Sequence, residues 1–208
     1  MSKQAEALLK GYAKHLPEMI LESGWFVTRN EDNPESEEEP LPDKDYLRYL
    51  LTQYVTYPRL VVPKSRQIMV TWSWAAYGLA RCLTRKHFLA NYQTKREEDE
   101  GGFMNRVHFL YKHLPEEIRA VRPANTENGF KLEMPGQDAK FWGIPQGADI
   151  IRSNTVSLFL SDEVNFQPNA RASLRAAMPS LGKTGQGIWA SSANAGGLME
   201  KLIHANWD

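Results

Sequence analysis

The chain has 208 residues, of which 42% are hydrophobic, enough apolar material for one substantial core and too much for global disorder. Lys plus Arg and Asp plus Glu are 25 each, so the formal net charge is zero and any contact with nucleic acid has to come from a local patch. The single cysteine, Cys82, excludes an intrachain disulfide and a cysteine zinc cluster, and it fits a reducing compartment. No apolar run approaches the length of a membrane span, and the N-terminus lacks the apolar stretch of a signal peptide.

Residues 1–20 read as an amphipathic helix with Ala5, Leu8, Leu9, Tyr12 and Leu16 on one side, which Pro17 should end or kink. Residues 30–45 are acidic and contain proline, and they read as a solvated linker. Residues 43–56 look helical, with Tyr46, Leu47, Leu50, Leu51 and Tyr54 on one face. They feed a short β-branched run at 59–63, read as a buried strand, and then a polar loop carrying Lys64 and Arg66. Thr71 opens a helix whose Trp72, Ala75, Ala76, Leu79, Ala80 and Leu83 recur at three- and four-residue spacing.

Further on, residues 88–92 predict a strand and 95–113 a helix with Phe103, Val107, Leu110 and Tyr111 inward. The Gly- and Pro-rich region 125–150 predicts a small β insertion with extended pieces at 130–134 and 140–142. Residues 156–161 form a clear buried strand ending in Asp162-Glu163. A short helix at 169–178, a Gly-rich turn at 182–187, a strand at 188–191 and a helix at 198–205 complete the chain. Strands alternating with helices argue for an α/β domain with a mainly parallel sheet. Ligands bind such sheets outside the carboxyl ends of the strands. Three polar clusters fall there: residues 64–71, Asp162-Glu163 and residues 191–194.

A strand, a loop and a helix N-terminus in that order make an anion site, because the first-turn N–H groups are unpaired and the helix dipole favours negative charge. Placed on the phosphate-loop pattern G-x-x-x-x-G-K-[ST], only Thr71 matches: Lys64 and Met69 take the glycine positions and Val70 the lysine. Lys64 stands where the strand ends, so its stem can fold back over phosphates, and Arg66 adds a charge with fork geometry. An apolar strand ending in Asp-Glu suits nucleoside triphosphate hydrolysis, one carboxylate serving a Mg2+-bound water and the other polarising the attacking water. The intervening length leaves room for at least one strand–helix unit, which puts the loop and the two acids on adjacent or near-adjacent strands.

These residues resemble the large terminase subunit of tailed double-stranded DNA bacteriophages, the DNA-packaging ATPase. Residues 64–71, Lys-Ser-Arg-Gln-Ile-Met-Val-Thr, are similar both to that family's deviant loop Ser-Arg-Gln-x-Gly-x-Thr and to its variant with the lysine moved to the front. Leu158-Phe159-Leu160-Ser161-Asp162-Glu163 resembles its Walker B strand and catalytic glutamate, and Arg152-Ser153-Asn154 the Arg-Gly-x-Ser before it. Ser191-Ser192-Ala193-Asn194 matches the coupling motif in position, and residues 41–46 look like the segment that contacts adenine, with Leu47 where Gln is usual. The resemblance spans residues 41–205. Met69 and Val70 depart from it, replacing the loop glycine and the usual lysine.

The resemblance implies a P-loop NTPase fold of the additional-strand (ASCE, RecA-like) type over residues 41–208, after an N-terminal helix and acidic linker over 1–40. It implies ATP and Mg2+ as ligands, held by residues 64–71 (Lys64, Ser65, Arg66, Gln67, Ile68, Met69, Val70 and Thr71) with Tyr46 near the adenine. Thr71 and Asp162 would serve the metal, and Glu163 and Arg66 catalysis. Ser191, Ser192 and Asn194 would sense the γ-phosphate and couple its loss to movement. Implied partners are double-stranded DNA, the portal protein, the small terminase subunit and further copies in a ring, in the host cell cytoplasm. A neighbour's arginine would complete the site, with Arg106, Arg119, Arg122 and Arg171 all open. The family's nuclease domain needs clustered carboxylates, and after Glu163 only Glu200 and Asp208 remain, so that domain is not expected in this chain. Two other readings stand beside this one: a helicase-like additional-strand ATPase, and a degenerate nucleotide-binding or purely structural α/β module that does not hydrolyse.

Overall fold

A computed structural model describes residues 2–29, 38–65, 68–146, 149–194 and 196–204. The chain opens with two helices, α1 (Ser2–Tyr12) and α2 (Leu16–Leu21), where the apolar spacing predicts one. Pro17 lies in the first turn of α2, so it starts a helix instead of ending one; its missing N–H costs nothing there. Two short strands, β1 (Val27–Thr28) and β2 (Glu39–Pro40), pair antiparallel. The end of the acidic stretch is therefore docked: Leu41 is buried and its N–H donates to the Phe26 carbonyl at 2.7 Å. Residues 30–37 lie outside the described residues.

Helix α3 (Asp45–Thr56) turns Leu47, Leu51 and Tyr54 inward. Tyr46 departs from the expected inner face and is exposed, because it sits one residue, about 100°, off that stripe. Then follow β3 (Arg59–Pro63), α4 (Val70–Thr84), β4 (Phe88–Gln93), α5 (Glu97–His113) and α6 (Glu116–Val121). The Gly- and Pro-rich region forms β5 (Lys131–Met134) and β6 (Ala139–Gly143), and the remainder α7 (Asp149–Arg152), β7 (Leu158–Ser161), α8 (Ala170–Leu181), β8 (Gln186–Ser191) and α9 (Leu198–Ile203).

Six strands form one sheet in the order β3-β8-β7-β4-β6-β5, parallel throughout except for the β5–β6 pair. The predicted insertion is thus an extension of the main sheet. Alternate residues face opposite layers, as strand geometry requires. Val62, Ala90, Tyr92, Leu158, Leu160, Ile188 and Ala190 join the core shared with α1 to α5. Phe159 and Trp189 join the second core, under α7, α8 and α9.

Helix α4 is buried nearly all round, not on one face as its spacing suggests, because the sheet covers one side and other helices the rest. Gly78 lets it approach β6: a Cβ there would lie 2.2 Å from the Phe141 ring. A polar knot locks α3, α4 and β8 together. The Tyr77 hydroxyl contacts the Tyr54 carbonyl at 2.9 Å and donates to Gln186 Oε1 at 2.8 Å, and Gln186 Nε2 donates to the Tyr57 carbonyl at 2.7 Å.

Candidate functional site

Three parallel strands, β3, β8 and β7, lie side by side and deliver the three polar clusters to one edge of the sheet. Pro63 of β3 pairs with Ser191 of β8, and Ser161 of β7 with Trp189, so the strand ends are nearly level. The strand between the loop strand and the Asp-Glu strand is β8. Its terminal Ser191 accepts, through its carbonyl, the Lys64 N–H at 3.0 Å.

Lys64 folds back from the end of β3. Its Nζ lies 3.1 Å from Asp162 Oδ1 and 3.2 Å from Glu163 Oε1, an ion triad between residues 98 and 99 positions apart in sequence. Asp162 is almost wholly buried, and burial pushes its carboxyl above the usual aspartate range, while the Lys64 charge and hydrogen bond pull against that. Burial also works against the charge on Lys64, but Asp162 and Glu163 outweigh it and raise the ammonium above its ordinary value. Asp162 Oδ1 further accepts the Glu163 N–H at 2.8 Å. Glu163 holds a left-handed backbone, φ 53°, which in a non-glycine residue costs on the order of 1 kcal/mol and turns the chain sharply off β7.

The turn into α4 has the shape its letters argue against. Met69 takes φ 54° and ψ 17°, the left-handed conformation expected of glycine, and stands as N-cap of α4 with no side-chain cap. Its side chain and that of Ile68 pack against the core, which holds the strained turn. The Val70 side chain is buried, which leaves its backbone N–H as what it can offer a ligand; Thr71 is half-buried in the first turn of α4, and Ser65 is exposed. Arg66 and Gln67, expected phosphate contacts, lie outside the described residues. Tyr46 sits exposed on α3.

At the β8 end, Ser191 is fully buried, Ser192 half-buried and Asn194 exposed. Asn165, which sequence reasoning passed over, ties this end to the acids' turn: its N–H donates to Ser191 Oγ at 3.2 Å and its Nδ2 to the Ser192 carbonyl at 2.8 Å. Gln167, also passed over, braces the strand end by donating to Ser161 Oγ at 3.0 Å and to the Asp162 carbonyl at 2.6 Å. Neither carries a motif letter; a polar residue just after an Asp-Glu turn is the only signal either gives.

The arginines separate. Arg122 is buried, pairs with both Glu6 oxygens at 2.6 and 2.8 Å and donates to the Leu83 carbonyl at 2.9 Å, so it joins α1 to α6 and is not available to a neighbouring copy. Arg119 donates to the Leu114 carbonyl at 3.1 Å, and Arg106 lies over the Trp72 ring at 5.8 Å. Arg171 lines a groove of about 420 Å³ beside the acids' turn.

Among the described residues no cluster of three or more His, Cys, Asp and Glu stands ready for a metal. Mg2+ does not need one, since it is held by one or two carboxylates together with phosphates and water. Asp162, Glu163 and the Thr71 hydroxyl are hard oxygen donors of that kind, and the Lys64 ammonium between the two acids shows that the position favours a cation. The residues fit the ion.

No protein-family model matches the sequence, and no curated protein matches it. The fold does have solved counterparts. The HK97 bacteriophage large terminase superposes with a TM-score of 0.73 over 91% of this chain and 40% of its own, at 12% identity. The Thermus phage P74-26 large terminase ATPase domain, as its R139A mutant, gives 0.56 over 72% of this chain and 65% of its own, at 15% identity. The large terminase of the thermophilic bacteriophage D6E in complex with ADP gives 0.52 over 74% and 39%, at 12% identity. The chain spans less than half the length of the HK97 and D6E proteins.

Proposed function

We propose that this chain, whose fold is the RecA-like one of phage large terminase ATPase domains, is the ATP-hydrolysing motor of a terminase that drives double-stranded DNA into a procapsid. The observation that carries the proposal is the Lys64–Asp162–Glu163 triad at the ends of β3 and β7. Support comes from two neighbours, one a large terminase ATPase domain and the other a large terminase in complex with ADP.

In this reading residues 41–208 form the motor. Lys64 leaves the acids to hold the triphosphate, joined by Arg66 and by the uncapped first-turn N–H groups of α4. Thr71 and Asp162 would hold Mg2+, which when bound would neutralise charge on the triphosphate. Glu163 orients the attacking water and takes its proton. The water oxygen bonds to the γ-phosphorus as the bond to the β–γ bridging oxygen breaks. Tyr46 borders the adenine, and Ser191, Ser192 and Asn194 read the loss of the γ-phosphate. The motor acts in the host cell cytoplasm as a ring of copies that engages the portal and the small subunit, with a neighbour's arginine completing the site.

The test is Glu163→Gln. ATP affinity, measured by calorimetry, should stay within a few-fold of wild type while phosphate release falls by roughly 10²–10⁴-fold. Normal phosphate release from the variant removes Glu163 from catalysis. A wild-type chain that binds no ATP at millimolar concentration with Mg2+ leaves only the non-hydrolysing reading.

A further inference from the structure

Asn165 lies two residues beyond Glu163, and three of its polar groups reach three places. Its backbone N–H meets Ser191 Oγ at 3.2 Å, its Nδ2 meets the Ser192 carbonyl at 2.8 Å, and its Oδ1 accepts the Met199 N–H at 2.8 Å. The last contact is a helix cap supplied from a distance. Helix α9 starts after Gly197, which has no side chain to cap it, and Met199 is the second residue of that helix, whose N–H a capping oxygen normally satisfies. Gly197 makes room for the arrangement, since a Cβ there would lie 2.3 Å from Asn165 Oδ1. Helix α9 is not loose at its far side: Met199 and Leu202 are buried in the core beneath β8.

The turn that carries Asn165 is the turn that carries Glu163. It is held by Asp162 Oδ1 on the Glu163 N–H, by Gln167 on the Asp162 carbonyl, and by the Val164 N–H on the Ala190 carbonyl at 3.2 Å. These bonds tie the Glu163 turn together and to β8. We infer that Asn165 is the positioning residue that links the Glu163 turn to the end of β8 and to α9, so that a shift of Glu163 between the nucleotide-bound and nucleotide-free states is passed to α9 as a displacement. The inference rests on the function proposed above. A carboxamide suits the task because one side chain presents a donor to a carbonyl and an acceptor to an N–H.

The experiment compares the full chain with Asn165→Ala, which removes both side-chain contacts, and Asn165→Asp, which keeps an acceptor for Met199 and loses the donor to Ser192. Far-ultraviolet circular dichroism establishes that each variant folds. The readouts are kcat and KM for ATP, and hydrogen exchange at the α9 amides with and without Mg2+-ATP. In wild type, nucleotide should change α9 exchange. In Asn165→Ala, KM should stay within about twofold while kcat falls roughly ten- to hundredfold, and α9 exchange should no longer respond to nucleotide. Asn165→Asp should restore the slow nucleotide-free exchange of α9 without restoring its response or kcat, which a mere cap would not do. An Asn165→Ala chain with faster α9 exchange but wild-type kcat and response overturns the inference, as does full recovery in Asn165→Asp. A wild-type chain that binds no ATP overturns the function itself, a result distinct from both.

Discussion

Lys64 and Asp162 show what one pair of side chains imposes on the whole. Burial raises the Asp162 carboxyl above its ordinary value of 3.8, and Lys64 is what keeps that rise in check. An acid whose pKa is raised on folding contributes stability while protonated and loses it as pH climbs through the raised value. Lys64→Met removes the counter-charge, so the pKa of Asp162 should climb further and the cost of ionising it should appear at higher pH. Urea unfolding should therefore find the variant losing stability against wild type as pH rises, by about 3 kcal/mol once the acid is ionised, the size expected of an uncompensated buried charge. Parallel stability curves would mean that the triad does not hold Asp162 in its charged form. The triad's members were legible in the sequence, because each stands where an apolar strand stops. The left-handed turn at Met69 was not: a side chain at φ 54° is tolerated only because Met69 packs on a core that no local pattern reveals.

At the scale of elements, α4 and the sheet meet through a missing side chain. Helix propensity alone makes Gly78→Ala stabilising by about 1 kcal/mol. The close approach to Phe141, 2.2 Å from the added Cβ, makes it destabilising by about 1–3 kcal/mol, since the ring has to shift within a filled core. Chemical denaturation reads the sign directly, and a more stable variant would show that α4 and β6 have slack between them. Strong local patterns gave the strands and helices: the strands expected at 88–92, 156–161 and 188–191 emerge as β4, β7 and β8 with ends shifted by at most two residues, and the inner face of α5 carries Phe103, Val107 and Leu110 as expected. What failed had a local cause. Pro17 looks the same at the start of a helix as at its end, and two-residue strands such as β1 and β2 carry too few letters to alternate. Arg122 resembles any surface arginine until Glu6, 116 positions away, folds against it. That pair stabilises only while Glu6 is ionised. Its hydrogen bond from Arg122 holds the Glu6 carboxyl below its ordinary 4.5, so the contribution is present above that value and is lost as pH falls through the lowered one.

The whole molecule is where the site comes into being, since no one element contains it. The loop after β3, the acids after β7 and the serines after β8 meet only because β8 lies between the other two strands, an order that sequence spacing permits without fixing. A ligand that bridges all three should stabilise the fold as a unit, because it binds the assembled site and not the unfolded chain. At a concentration one hundred times its dissociation constant, Mg2+-ATP should add about 2.7 kcal/mol, a rise in Tm of roughly 5–10 °C for a domain of this size. Glu163→Gln should keep that rise, because Glu163 is assigned to the water and not to the phosphates. Asp162→Asn should lose the part that depends on Mg2+ while keeping the part that chelator leaves in wild type. Thermal scans with ATP, with and without Mg2+, separate these terms. A wild-type shift indifferent to Mg2+ would leave Asp162 as Lys64's structural counter-ion alone and would take the metal out of the site.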